Sequence, residues 1–296
     1  MIPSSELIIN PNNSIYHLNL QPAQLADTII TVGDPERVPS VSQFFDSIEV
    51  KIHKREFITH TGIYKGKRIS VISTGMGTDN VEVLMTELDA LVNVDFKTRK
   101  IKEKLTSLTI IRVGTSGSIQ ESIPVGTLLA SQNAVGMDTL MQFYRLEQSQ
   151  KEQEISQKIK ENAKVDFNPY IVSADENLVN HFTENHSDNS IKMIKGNTLT
   201  CPGFYAPQGR EVRLKPQTDN YLDKIRNQIK GFPLTNMEME TAGYYAMGRL
   251  LGHKMLSLNA ILANRITHQF SENPQEEVNN LINYTLEKIT TYQNDF

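Results

Sequence analysis

The sequence predicts an α/β fold, and three observations carry that prediction. Short β-branched runs alternate with stretches whose apolar residues recur at helical spacing. Glycine-bearing turns link them. Polar and charged residues gather where the runs end, which puts a site along one rim of a sheet. At 296 residues and 33.5 kDa, with 39% hydrophobic residues, the chain can bury a substantial core, and no fixed-period repeat points to a solenoid or propeller. A formal charge of -4 argues against a nucleic-acid or membrane-surface role. The single cysteine, Cys201, makes no intrachain disulfide, and Met1 to Asn10 resembles neither a signal peptide nor a membrane span. A soluble cytoplasmic protein is expected.

The N-terminal region is polar until Tyr16-His-Leu-Asn-Leu20, read as a short extended segment in which His17 is by default a surface or satisfied histidine. Thr28 to Val32 is a short buried strand running into Gly33-Asp-Pro-Glu-Arg37. There Asp34 is a good N-cap and Pro35 a good first helical residue. Free amides at a helix start, a glycine that admits an anion to the backbone and the charge of Arg37 suit phosphate. An ordinary turn with a surface arginine fits the same residues.

Ile52 to His60 and Gly62 to Thr74 read as paired strands with a turn at Tyr64 to Lys67, and Arg55 as a solvated strand residue. Gly75-Met-Gly-Thr-Asp-Asn80 precedes a helical pattern from Val81 to Leu91, but its glycines lack the dinucleotide spacing and a Walker lysine. Thr98 to Lys104 is a solvated connection. Leu108 to Ser118 carries a strand into a glycine, threonine and serine turn. Arg112 sits in that apolar run with no acid beside it in sequence, so a buried guanidinium there needs an anion. With Thr115 and Ser116 it forms a second oxyanion cradle.

Pro124 to Val135 gives a strand; Glu147 to Lys164, rich in Gln, Glu and Lys, a solvated helix or insertion; and Ile191 to Leu199 a further strand. Two prolines and two glycines make Cys201 to Arg210 a loop. Its Phe204, Gln208 and Arg210 can read a flat ring, although taken alone the loop is better read as a turn with a solvated glutamine and arginine. Uracil presents carbonyl, N–H and carbonyl along one edge, and an amide with a guanidinium complements that pattern. Asn236-Met-Glu-Met-Glu-Thr241 then places Glu238 and Glu240 on one side of an extended chain. From Thr241 the apolar positions Tyr244, Met247, Leu250 and Leu251 mark a helix that Gly252 stops. Such a junction suits a ligand's hydroxyl groups, as it does a solvated acidic strand end. Lys254 to Leu262 is a buried strand leading to Ala263-Asn-Arg265, and Gln275 to Tyr292 a closing helix.

Gly33-Asp-Pro-Glu-Arg37, Arg55-Glu-Phe57, Ser73-Thr-Gly-Met-Gly77, Arg112-Val-Gly-Thr115, Phe204 to Arg210, Met237-Glu-Met-Glu240 and Asn264-Arg265 together resemble the nucleoside phosphorylase-I family, most of all its uridine phosphorylases. Each piece is weak alone; in this order they span nearly the whole chain. The resemblance implies one phosphorylase domain over residues 1–296, with a core from about residue 14 and a polar variable insertion at 140–165. Its fold would be a phosphorylase/hydrolase-like, three-layer α/β/α arrangement around a mixed, partly barrel-like sheet. It implies phosphorolysis of uridine to uracil and α-D-ribose 1-phosphate with inversion, needing no cofactor or metal, with inorganic phosphate as co-substrate. A homo-oligomer of dimers, in some members a trimer of dimers, comes with it.

By the same resemblance Gly33, Arg37, Arg112 and Thr115 hold phosphate, with Arg55 lent by the neighbouring subunit. His17 reaches the neighbour's ribose 5′-hydroxyl, Met239 and Glu240 contact the ribose with Glu238 in support, and Phe204, Gln208 and Arg210 hold the base, with Arg265 helping through water. Purine-specific members commonly carry an aspartate where Arg265 falls, so a pyrimidine is favoured. A monovalent-cation site known at some family interfaces, through the counterparts of Glu56, Met76 and Asn80, is disfavoured, because Gly-Thr-Asp-Asn follows Met76 where bacterial relatives have a Pro-Ser pair. Another nucleoside phosphorylase, a nucleosidase of the same fold that uses water, and a non-catalytic nucleoside-binding protein stay open beside the uridine phosphorylase reading.

Overall fold

A computed structural model describes residues 1–184 and 192–292. In chain order it forms β1 (Thr28–Val32), α1 (Arg37–Ser42), β2 (Ser47–Lys54), β3 (Phe57–Tyr64), β4 (Lys67–Ser73), α2 (Thr78–Asn93), β5 (Val94–Asp95), β6 (Lys100–Ile101) and β7 (Thr109–Ser118). There follow β8 (Leu128–Gly136), α3 (Gln150–Ala163), β9 (Tyr170–Ser173), α4 (Glu176–Thr183), β10 (Met193–Thr200), α5 (Tyr221–Ile225), β11 (Asn236–Glu238), α6 (Thr241–Leu251), β12 (Lys254–Asn264), β13 (Gln269–Phe270) and α7 (Pro274–Thr291).

All strands except β5 and β6 join one mixed sheet. β1 lies parallel to both β4 and β7, while β2, β3 and β4 form an antiparallel meander. β7 pairs with β12, β12 with β8, β8 with β10, β10 with β11, and β11 again with β7. Those five strands close on themselves, which is the partly barrel-like sheet expected. Alternation along the central strands sends side chains to opposite layers. Ile29 and Ile110 pack under α2 and α6, whereas Ile30, Ile111 and Val113 pack under α1, α4 and α7. The expected α/β/α layering follows.

Several elements differ from their sequence reading. Tyr16 to Leu20 is a closed turn and not an extended segment: Ile15 N–H donates to Leu20 O at 2.8 Å, and Asn19 adopts φ 55°. Asparagine tolerates that left-handed conformation better than most residues. α1 starts at Arg37, because Asp34 spends its side chain on an Asx turn to Glu36 N–H, 2.9 Å, ahead of the helix. Ile52 to His60 is not one strand. It is folded by a tight hairpin in which Lys54 faces Phe57 and Arg55 sits at φ 54°, a conformation arginine does not advertise in sequence. The expected turn after Val113 is strand throughout, since β12 pairs with β7 as far as Ser118 and overrides local turn propensity.

β9 and α4 were not foreseen. Of the strand expected at 191–199, Ile191 lies outside the described residues and β10 begins at Met193. Leu250 is exposed, while everything in α6 from Thr241 to Gly248 is buried. The polar stretch after Glu147 forms α3, with Ile155, Ile159 and Ala163 packed against Ile171 and Leu199. A Ser149 capping box starts it.

Candidate active site

The carboxyl ends of β1, β4, β7, β10 and β11 open onto a cavity of about 520 Å³, a size suited to a small polar ligand. A larger groove of about 930 Å³ runs beside α3, but solvated amides such as Gln148, Gln153 and Gln157 wall it, and it contains none of the candidate residues.

At the floor of the cavity lies Arg112, almost fully buried. Its Nη2 donates to Glu240 Oε2 at 2.6 Å and lies 3.2 Å from Glu238 Oε2, while Nη1 reaches Ser257 Oγ and Asn259 Oδ1, each at 3.3 Å. The anion that the sequence demanded for Arg112 is thus supplied within the chain, by two glutamates distant in sequence. Burial opposes the charge on Arg112, but Glu238 and Glu240 outweigh it, and the pKa rises. Burial and the charge of Glu238 raise Glu240 against the pull of Arg112.

The two glutamates have different tasks. Glu238 accepts from Thr200 Oγ1 at 2.6 Å and from the backbone N–H groups of Glu240 and Thr241 at 2.8 and 2.9 Å. It thereby neutralises the amino end of α6. Glu240 accepts from Gly77 N–H, 2.9 Å, with Oε1 and from Arg112 with Oε2. A carboxylate offers about four acceptor positions, so Glu240 keeps capacity for hydroxyl donors in the cavity. Met239 lies between them on the cavity wall.

Arg37 reaches the same end of the cavity, donating to Val113 O at 3.3 Å. Burial lowers its pKa, and Arg112 close by lowers it further. Two guanidinium groups brought together favour an anion at this end of the cavity, although Glu238 and Glu240 already neutralise much of the charge on Arg112. Gly33 and Thr115 line the cavity beside them.

At the other end, Gln208 is buried and accepts from Arg210 Nη1 at 2.5 Å, while Arg265 donates to Gln208 O at 3.1 Å. The Arg210 guanidinium lies 3.7 Å from the centre of the Phe204 ring and donates to Phe204 O at 2.6 Å. Burial, with the charge of Arg265 added, pushes Arg210 down to about 10, and burial also lowers Arg265. The acceptors of Arg210 are carbonyl oxygens, so an electron-rich group beside it in the cavity is favoured. Cys201 is buried and its thiol pushed up by burial, which keeps it unreactive.

Of the candidates, Arg55, His17 and Arg265 do not line this cavity; Arg265 stands behind Gln208, on its backbone oxygen. Arg55 is exposed on its hairpin, and His17 lies in a separate cleft of about 160 Å³ with Glu82 and Glu87. Asn80 donates to Met76 O at 3.4 Å, and Glu56 packs against Gly75. Among the described residues no three of His, Cys, Asp and Glu group as metal ligands. No helix among them is long and apolar enough to cross a membrane.

Sequence reasoning missed Gly114. A Cβ there would stand 1.9 Å from Arg112 Nη1, so only glycine lets the guanidinium fold back across its own strand. Ser257 and Asn259 were also missed, although two polar residues alternating inside a buried strand were a readable signal. Leu262, Ala263 and Phe270 add an apolar wall.

Residues 27–290 match the phosphorylase superfamily. The chain belongs to that superfamily. Among phosphorylase superfamily relatives, it is 30% identical to a uridine phosphorylase of Thermococcus kodakarensis over 88% of this chain and 82% of that one. It is 26% identical to a DeoD-type purine nucleoside phosphorylase of Shewanella denitrificans over 93% of this chain and 98% of the other. Among solved structures, a Trypanosoma brucei nucleoside phosphorylase described as showing uridine phosphorylase activity superposes with a TM-score of 0.87 at 28% identity, covering 97% of this chain and all of that one. The family and these relatives make the chain a pentosyltransferase.

Proposed function

We propose that this chain is a uridine phosphorylase, cleaving uridine with inorganic phosphate to uracil and α-D-ribose 1-phosphate. One observation carries the reading: a single cavity has Arg37 and Arg112 at one end, Gln208 and Arg210 at the other, and Glu240 between, with Arg265 bracing Gln208 from outside the lining. The names of the Thermococcus and Trypanosoma relatives support it. Cleavage of the glycosidic bond builds positive charge at C1′ and negative charge on the base. Arg37 and Arg112, with Gly33 and Thr115, orient the phosphate dianion against C1′ from the side opposite the base. Glu240 accepts from the ribose hydroxyls and sets negative charge near the developing cation. Met239 packs on the sugar and Glu238 holds the helix that presents Glu240. Phe204 faces the ring, Gln208 accepts from the ring N–H, and Arg210 stabilises the departing uracil anion, with Arg265 helping through water. Phosphate then bonds to C1′ as the C1′–N1 bond breaks, and the configuration inverts.

In this reading the whole chain works as one domain, in the cytoplasm and as a homo-oligomer whose neighbours lend His17 and Arg55. Phosphate and nucleoside suffice, without a resident cofactor. Uridine should be consumed only when phosphate is present, with uracil and ribose 1-phosphate formed in equal amounts. Turnover without phosphate, or free ribose as the product, would replace the reading with a nucleosidase; tight uridine binding without turnover would replace it with a binding protein.

A further inference from the structure

Alternation along the ring of β7, β12, β8, β10 and β11 sends Leu256, Leu258 and Ala260 outward into the apolar layer that contains α4 and α7, and Leu199 and Met237 outward against Ile155 and Ile159 of α3. The residues between them point inward. Leu129 and Ile261 fill one part of that interior. Asn259, Ser131, Thr198, Asn236 and Ser116, one from each strand, form a buried polar layer, which is stable only when every member finds a partner.

The hydrogen bonds of that layer run in one direction. Arg112 Nη1 can only donate, so Asn259 offers it the amide oxygen at 3.3 Å and donates Nδ2 to Ser131 Oγ at 3.1 Å. The Ser131 and Thr198 hydroxyls lie 2.6 Å apart, Thr198 donates to Asn236 Oδ1 at 2.9 Å, and Asn236 Nδ2 donates to Ser116 Oγ at 2.9 Å. Were Ser131 to accept from Thr198 as well as from Asn259, its own proton would lack an acceptor among the described residues, so Ser131 is the donor to Thr198. Thr235 Oγ1, also 2.9 Å from Asn236 Oδ1, favours the same orientation of that amide. Ser116 therefore only accepts inside the barrel, and its own proton is left for the cavity that it lines.

We propose that Asn236 is a positioning residue that fixes the Ser116 hydroxyl as a hydrogen-bond donor to a ring carbonyl of the nucleobase. This rests on the uridine phosphorylase reading. β7 runs from Arg112 at the anion end to Gly117, which neighbours the side chain of Arg265 behind Gln208, so Ser116 stands toward the base end. A fixed donor there suits a carbonyl and rejects an N–H. In Asn236→Asp the carboxylate can only accept, so it draws the Ser116 proton inward and leaves the cavity facing a lone pair.

The test is the affinity for uracil, measured by titration calorimetry in wild type, Ser116→Ala, Asn236→Asp, Asn236→Leu and each Asn236 variant combined with Ser116→Ala. Ser116→Ala should weaken uracil about three- to tenfold, the size of one hydrogen bond, and leave KM for phosphate within about twofold. Each Asn236 variant should weaken uracil as well, yet add nothing in the Ser116→Ala background, where a general loss of packing would still tell. Additive losses overturn the role of Asn236. Unchanged affinity in Ser116→Ala overturns the donor, as does a loss confined to phosphate. 2-Thiouracil and 4-thiouracil need only the serine variant: sulfur is the weaker acceptor, so Ser116→Ala should cost less on one of them than on uracil, and an equal cost on all three sinks the assignment. Wild type that binds uracil but does not cleave uridine in phosphate refutes the uridine phosphorylase reading alone; wild type that does not bind uracil refutes this inference.

Discussion

Gly114→Ala isolates the placement of Arg112 from its chemistry. Gly114 lies in β7 outside the left-handed region, so its backbone accepts alanine without strain. The added Cβ would sit 1.9 Å from Arg112 Nη1, 2.4 Å from Cζ and 2.8 Å from Nη2. Ordinary contact between such atoms needs about 3.5 Å, so the guanidinium must withdraw by roughly 1.5 Å. The 2.6 Å bond from Nη2 to Glu240 cannot survive that displacement. A charge-assisted hydrogen bond contributes about 1.5–3 kcal/mol, equivalent to roughly 10- to 150-fold in rate. The phosphate position moves with the guanidinium. We therefore expect kcat/KM for phosphate, measured at fixed saturating uridine, to fall by about one to two orders of magnitude while every ionisable group is retained. A variant within about threefold of wild type would falsify the geometric account.

Arg112→Ala goes further: it should abolish measurable phosphorolysis at low phosphate and leave Glu238 and Glu240 buried without a cation, a loss of about 3–5 kcal/mol in stability. Glu240 already titrates above its ordinary range through burial, and removing Arg112 drives it higher. An acid whose folded pKa exceeds its unfolded one stabilises below the unfolded value and loses that contribution as pH rises through the folded value. The deficit against wild type should accordingly grow between pH 5 and pH 8 in thermal melts, and an equal deficit at both would sink the assignment. Gln208→Ala should lower the preference for uridine over inosine by about tenfold in kcat/KM, since a polar site loses discrimination with its partner group. Unchanged selectivity would take Gln208 out of the base site.

The fold was legible wherever local pattern and tertiary structure agree. β1, β12 and α7 follow from apolar runs or helical spacing, and Val278, Leu281, Ile282, Leu286 and Ile289 are all buried as that spacing demands. Where the chain turns through unusual residues, as at Arg55 and Asn19, the sequence carries no sign, because the conformation is imposed by strand pairing or core anchoring. The site divides the same way. Residue types at strand ends marked Arg37, Arg112, Glu240 and Gln208, and the cavity brings all four together. Contacts such as Arg112 to Glu240 or Glu87 to His17 join residues more than sixty positions apart and exist only once the chain has folded. Gly114 is visible only once the arginine's path is known.

The closed ring of β7, β12, β8, β10 and β11 has a consequence for how specificity can change. Arg112, Thr115 and Glu238 stand on strands held by ladders on both sides, so a substitution that shifts one of these strands disturbs its neighbours around the ring. Phe204, Gln208 and Arg210 stand outside it, on a segment held by local hydrogen bonds, a single short turn of 3₁₀ helix and one long-range bond from Arg265 to Gln208 O. On the proposed reading, sugar and anion chemistry are built into the frame, while base recognition is an attachment that sequence drift can rewrite without reopening the barrel.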